Sequence, residues 1–350
     1  MSPVVNFCFS PFCVRGVDVT PGDSERAITH IYNSAVAASA IGAAWELGMF
    51  DELHTQGMLD VQSFAAARGL DTVSVLGLFR ALSAVEIVER EEFKILPGVH
   101  FSEAYRNKSF FHWLTRGSAD LFRRAPEVVR TENRVGNFCP RDSAAIAFAC
   151  REISEFCYDP WFWQTVQGLD FDFHVVADLG CGSGERLMQL LGRHPGTRAV
   201  GIDIAQPAVR MATAAAAAAG LADRMTFVQA DVLTMAPVPA FEEVELLTCF
   251  MMGHDFWPRQ RCIENLRRLR ILFPRARRFL LGDATRSEGV ADRDLPIFAL
   301  GFEVAHDMMG TFIPTVRDWE SVFEEGGWRL RSKNSIDIAV GEVIFELEKL

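Results

Sequence analysis

The 350-residue chain lacks several features that assign a function quickly. No apolar run reaches the roughly 18 residues that a membrane-spanning helix needs. A cationic surplus is missing too. The 35 Lys and Arg stand against 46 Asp and Glu, a formal charge of −11, whereas nucleic acids and anionic membrane surfaces reward the opposite sign. The eight cysteines, Cys8, Cys13 and Cys181 among them, include no C-x-x-C pair. A disulfide framework and a zinc knuckle are therefore not indicated, and buried free thiols in a reducing cytoplasm are expected. Met1 to Thr20 is apolar but carries Pro3, Pro11 and Arg15 and no basic leader. It is a poor signal peptide and is expected to be an arm packing on another subunit. No internal repeat is found, and low complexity is confined to the alanines from Ala214 to Ala219.

What is present suffices for a packed core, with 49% hydrophobic residues, and the length suits two domains or one large one. Residues 24–55 read as a helix capped by Ser24. A short helix stopped by Gly69 and a leucine-rich helix from Asp71 to Val85 follow, and Val88 to Ile95 alternates like a hairpin. Three helices and a hairpin form a winged-helix pattern. DNA reading is disfavoured, because the candidate recognition helix, Thr72 to Leu82, holds a single basic residue, Arg80. Residues 101–165 are helical and dense in aromatics, a mixture of core and pocket lining. From 173 onward strands (173–179, 198–203, 225–230, 243–250, 277–283) alternate with helices (184–193, 206–219, 258–272), which means a parallel sheet covered on both faces. Two more helices and an antiparallel hairpin, Trp328 to Ile336 with Glu342 to Glu348, close the chain. The expected organisation is an N-terminal arm and winged-helix domain over 1–100, a helical linker over 101–170 that lines a substrate pocket, and an α/β domain over 171–350.

The most informative stretch is Asp178-Leu-Gly-Cys-Gly-Ser-Gly184. A strand runs into an acid and then three glycines, Gly180, Gly182 and Gly184, at alternate positions. Glycine there lets a backbone approach a ligand closely. A second strand ends in Asp203, a carboxylate able to accept hydrogen bonds from ribose hydroxyls. The pattern departs by one residue from the dinucleotide form G-x-G-x-x-G. Asp178 would repel a pyrophosphate but suits a ligand carrying an amino group, which points to S-adenosylmethionine.

These motifs, with Gln229-Ala-Asp231-Val232, resemble those of class I S-adenosylmethionine-dependent methyltransferases. The resemblance covers roughly 165–350 and implies a Rossmann-like fold. It places the glycine turn against the methionine portion, Asp203 on the ribose and Asp231, with Val232, by the adenine. Phe250 belongs to the same expected cofactor site. The N-terminal region resembles the dimerisation domain of small-molecule O-methyltransferases, which implies a homodimer.

The fourth strand ends in Thr248-Cys-Phe-Met-Met-Gly-His-Asp-Phe-Trp257, where open α/β folds present ligands. His254 reads as a general base with Asp255 beside it. A second histidine, His306, lies in Phe302-Glu-Val-Ala-His-Asp-Met-Met309. Two histidines with acids nearby are raw material for a metal site with open positions. Met251 to Trp257 with His306 resembles the metal-dependent α-keto acid C-methyltransferases of nonribosomal peptide pathways. That resemblance implies a nonheme iron on His254 and His306 and an assisting arginine matched by Arg141. It also implies pocket residues Trp113, Ser118 and Met251, with methylation of the β-carbon of a phenylpyruvate-like keto acid. Asp255 or Asp307 could take the proton. The alternative is a metal-free O-methyltransferase of a phenolic or polyketide product, with His254 as base.

Overall fold

The computed structural model describes residues 21–136, 138, 139, 141–336 and 341–350. The expected arm at Met1 to Thr20 and the thiols of Cys8 and Cys13 lie outside the described residues. The chain divides into two compact units, Met1–Phe111 and His112–Leu350.

In the first unit, α1 (Pro21–Glu46) and α2 (Met49–Gln56) replace the single helix expected over 24–55. The break falls at Gly48, whose φ of 74° is left-handed, a conformation that ends helices and that glycine adopts without strain. Because α1 begins at Pro21, Ser24 lies inside it and is not a cap. Strand β1 (Leu59–Asp60) leads into α3 (Val61–Arg68), where the Asp60 carboxylate accepts the Ser63 N–H and Gly69 closes the far end. Asp71 caps α4 (Thr72–Ser83) in the same way. β2 (Val88–Glu91) and β3 (Lys94–Pro97) form the expected hairpin, and β1 pairs with β3 to give an antiparallel sheet in the order β1-β3-β2. Phe50, Phe64, Phe79, Leu82 and Ile95 fill the core. α5 (Phe101–Arg106) follows, and then α6 (Lys108–His112), within which the first unit ends.

The second unit opens with short helical pieces: a π-turn (Trp113–Gly117), α7 (Ala119–Arg123), α8 (Ala125–Val128), α9 (Ser143–Ile153), a second π-turn (Ser154–Tyr158) and α10 (Asp159–Gln167). The α/β part then runs β4 (Val175–Leu179), α11 (Glu185–Arg193), β5 (Arg198–Asp203), α12 (Gln206–Ala218), β6 (Met225–Gln229), β7 (Leu246–Phe250), α13 (Arg259–Leu272) and β8 (Arg278–Ala284). It ends with α14 (Ala299–Met309), α15 (Val316–Phe323), β9 (Trp328–Ile336) and β10 (Glu342–Lys349).

The sheet order is β6-β5-β4-β7-β8-β10-β9, parallel from β6 to β8 and antiparallel where β10 meets both its neighbours. Every residue of β4, β7 and β8 is buried, as an apolar strand covered on both faces must be. The chain order reverses at β4, with β5 on one side and β7 on the other. Ligands of open parallel sheets bind outside the strand carboxyl ends at such a reversal. The motifs follow β4, β5 and β7 and so converge there.

Candidate active site

The loop after β4 is made by its three glycines. Gly180, Gly182 and Gly184 have φ of 75°, 53° and 74°, left-handed values that would strain any side chain. The N–H groups of Gly180 and Cys181 donate to the Ile202 carbonyl, which ties the loop to the end of β5. A Cβ on Gly184 would stand 3.0 Å from the Phe227 ring, whereas one on Gly182 would meet nothing within 4 Å. The first glycine of this pair serves packing, and the second keeps open space where a ligand can approach. The Asp203 carboxylate accepts the Gly182 N–H at 2.9 Å and the Ala205 N–H at 2.8 Å, so it also fastens the loop. Asp178 is buried beneath the turn, and burial pushes its carboxyl up; the nearby Arg186 charge and the Thr248 hydroxyl, which donates at 2.6 Å, oppose that push. Asp231 accepts the Leu233 N–H at the end of β6, and Val232 is buried beside it.

Past β7 the chain turns through Met251, whose φ of 54° is unusual for a methionine and whose N–H donates to the Gly282 carbonyl. A short 3-10 turn, Gly253–Phe256, carries the histidine. A Cβ on Gly253 would meet Asp283 Oδ2 and Leu281 at 2.8 Å each. Glycine thus lets this turn press onto β8, where His254 Nδ1–H donates to Asp283 Oδ1 at 2.8 Å. Burial opposes charge on His254, but Asp283, through its charge and this hydrogen bond, with help from Asp255, holds the imidazole above its ordinary range. His306 lies on α14 with its ring centroid 5.1 Å from that of His254 and nearly perpendicular to it. Its Nδ1–H donates to the Phe302 carbonyl at 2.7 Å, one helical turn back. Burial, with His254 beside it, pushes His306 down to about 3, so it is neutral. Neither Nε2 has a hydrogen-bond partner among the described residues.

The structure brings Arg141 to the same place. It is half-buried, burial lowers its affinity for its proton, and its charge acts on both histidines and on Asp255. Among the described residues it has neither a hydrogen bond nor an ion pair. Trp113 is buried against Phe298 and Phe302, at 4.9 and 6.0 Å between centroids, and Phe302 in turn lies 4.0 Å from His306. Phe298 has a φ of 79°, a second non-glycine residue in a strained conformation beside the histidines. Phe250 packs edge-on against Tyr158 and Phe162. Ser118 is fully buried with an unpartnered hydroxyl, and no polar contact joins it to the histidines among the described residues. Asp307 is in an ion pair with Arg286 at 2.5 Å. Sequence reasoning passed over Asp283 and Glu342. Asp283 is the penultimate residue of β8, the parallel strand next to β7, a position that itself marks candidate ligand-side residues. Glu342 pairs across from Ala284 on a strand that read as a closing hairpin, and nothing in its sequence context signals a site.

No helix among the described residues is long and apolar enough to cross a membrane. No group of three or more His, Cys, Asp or Glu side chains able to hold a metal occurs among them.

A glycine turn of this form, an acid closing β5 and another just past β6, and a seven-stranded sheet with one antiparallel strand, β10, are the arrangement of the class I methyltransferase fold. Residues 176–270 match the methyltransferase domain family. The chain is 50% identical over 334 residues to methyltransferase ungE′ of Aspergillus campestris, which spans 93% of this chain and 98% of that protein. It is 26% identical over 325 residues to indolepyruvate C-methyltransferase of Streptomyces griseus, covering 91% of this chain and 93% of the relative. Human N-acetylserotonin methyltransferase, solved in complex with S-adenosylmethionine, shares the fold with a TM-score of 0.67 at 18% identity, over 95% of this chain and 99% of that one. The chain belongs to the methyltransferases.

Proposed function

We propose that this enzyme methylates the β-carbon of an α-keto acid with an aromatic side chain, in secondary metabolite biosynthesis, with a divalent metal held by His254 and His306. The observation that carries the reading is the pair of facing imidazoles. Each Nδ1–H is fixed by an oxygen, Asp283 in one case and Phe302 in the other, and each Nε2 is left uncommitted. Metal-binding histidines have this arrangement, in which the second ring nitrogen orients the first. His306, held neutral, is already in the ligating form. Two nitrogens leave several positions for substrate oxygens and water, which suits iron but does not reject other divalent ions. The bound metal would supply Lewis acidity that stabilises negative charge developing on the keto oxygen.

The remaining residues act on the substrate directly. The unpartnered Arg141 guanidinium binds the carboxylate. Trp113, Phe298 and Phe302 form an apolar wall that suits a phenyl or indole ring and keeps water from the carbanionic form. Met251, directly after β7 and touched by the Tyr158 hydroxyl, supports the acceptor. With Asp307 paired to Arg286 and Asp283 engaged by His254, Asp255 takes the β-proton. The name of the relative from Streptomyces griseus supports the substrate class. The enzyme acts as a homodimer, supported by the stripe of Ile28, Ile31, Tyr32 and Val36 along α1, 48–72% exposed.

A second reading has its own observation. The His254–Asp283 hydrogen bond makes a base dyad that could deprotonate a phenol without metal, with methyl transfer to oxygen. Metal analysis of the purified protein, with a panel of keto acids and phenols assayed with and without chelator, separates the two. We expect about one metal per chain, its loss in His306→Ala, and chelator-sensitive turnover of keto acids. Undiminished turnover by the metal-free protein would overturn the metal reading.

A further inference from the structure

Arg186 is the second residue of α11, directly after the glycine turn. Its side chain is only 12% exposed, yet among the described residues its guanidinium makes no hydrogen bond. The nearest acid is Asp159, 3.9 Å away, and Nε is buried with no partner at all. A guanidinium carries five N–H donors, and buried donors are normally satisfied. The group is also held in place. Its Cζ lies 4.0 Å above the Phe250 ring and 5.3 Å from that of Phe162. Strand pairing sets Leu179 beside Cys249, so Phe250 stands level with Gly180, the first residue of the turn. Arg186 is therefore a fixed, underused cation at the reversal of the sheet, on the glycine-turn side.

S-adenosylmethionine bears one anion, the carboxylate of its methionine part. We propose that Arg186 is the anchor for that carboxylate, its flat face stacked on Phe250 and its free edge turned to the ligand. It would thereby fix the methionine end of the methyl donor, while Arg141 serves the acceptor. This assignment depends on S-adenosylmethionine binding alone and is independent of which atom of the acceptor is methylated.

The test compares two ligands that differ only in the anion: S-adenosylhomocysteine and its carboxamide analogue, titrated calorimetrically against the wild type, Arg186→Gln and Arg186→Lys. In the wild type the carboxamide should bind about 10- to 100-fold more weakly, the range for a charge-assisted hydrogen bond. Arg186→Gln should weaken S-adenosylhomocysteine by a similar factor and leave the carboxamide within about twofold. Arg186→Lys keeps the charge without the fork and should fall between. Should Arg186→Gln not fold, the wild-type comparison and the lysine variant carry the test. Equal affinity of the wild type for both ligands would overturn the proposal. So would an equal loss for both in Arg186→Gln, which means a packing role, or a rise in the acceptor KM with S-adenosylhomocysteine binding unchanged.

Discussion

Glu342 offers the sharpest test of how charge is arranged behind the histidines. Its side chain is buried with the Tyr158 hydroxyl close by, and the Oδ2 of nearby Asp283 is unpartnered. Burial pushes the Glu342 carboxyl up to about 8, with the Asp283 charge adding to the push and the Tyr158 hydroxyl opposing it. The unfolded chain returns this group to its ordinary value of 4.5. Between those values the folded state holds a proton that the unfolded state has released. Stability from this group is therefore fully present below about 4.5 and is lost as pH rises through about 8. At 1.36 kcal/mol per pKa unit, the loss approaches about 5 kcal/mol. Glu342→Gln keeps the shape and the neutral state at every pH. Urea unfolding of both proteins from pH 5 to pH 9 should give similar stabilities at the acid end. The variant should gain steadily on the wild type above it, by about 3 to 5 kcal/mol at pH 9. Taking the difference between the two proteins removes other titrating groups, His306 among them. Parallel curves would refute the claim that Glu342 is held protonated.

Further outcomes follow from the same geometry. Gly184→Ala meets both a left-handed φ and the Phe227 ring and should cost more stability than Gly182→Ala, about 2 to 4 kcal/mol against about 1 to 2 by thermal unfolding. Gly182→Ala, which fills open space, should lose S-adenosylhomocysteine affinity out of proportion to its stability. Asp283→Asn removes the charge that orients His254 and should lower kcat by about 10² with little change in S-adenosylhomocysteine binding, read by steady-state kinetics and calorimetry. Tyr32→Asp on the exposed stripe of α1 should convert the protein to monomer in light scattering.

Much of the fold was legible because the α/β part repeats strong local signals. β5 was read at its observed limits, Arg198–Asp203, since an apolar run closed by an acid has clear ends. The alanine run gave α12 because alanine is the best helix former and Gly220 stops it. The N-terminal helix was misread because periodicity continues across Gly48, and only the backbone reversal there divides α1 from α2. At the site, His254 and His306 stood out by residue type at a strand end and on an amphipathic helix. Their meeting, 5.1 Å apart, depends on how α14 folds back, which no local pattern encodes. Asp307 looked as eligible as Asp255 until the fold supplied Arg286 as its partner. Glu342 reaches the histidine side only through the antiparallel insertion of β10 beside β8, a long-range pairing invisible to local spacing.

The central claim is carbon methylation of a keto acid. The direct measurement is incubation of the metal-loaded enzyme with methyl-¹³C S-adenosylmethionine and phenylpyruvate, followed by carbon NMR of the product. The label should appear as a methyl group on the β-carbon, coupled to the single remaining β-hydrogen. Label on oxygen, as an enol ether or ester, or turnover of phenols with none of keto acids, would contradict it.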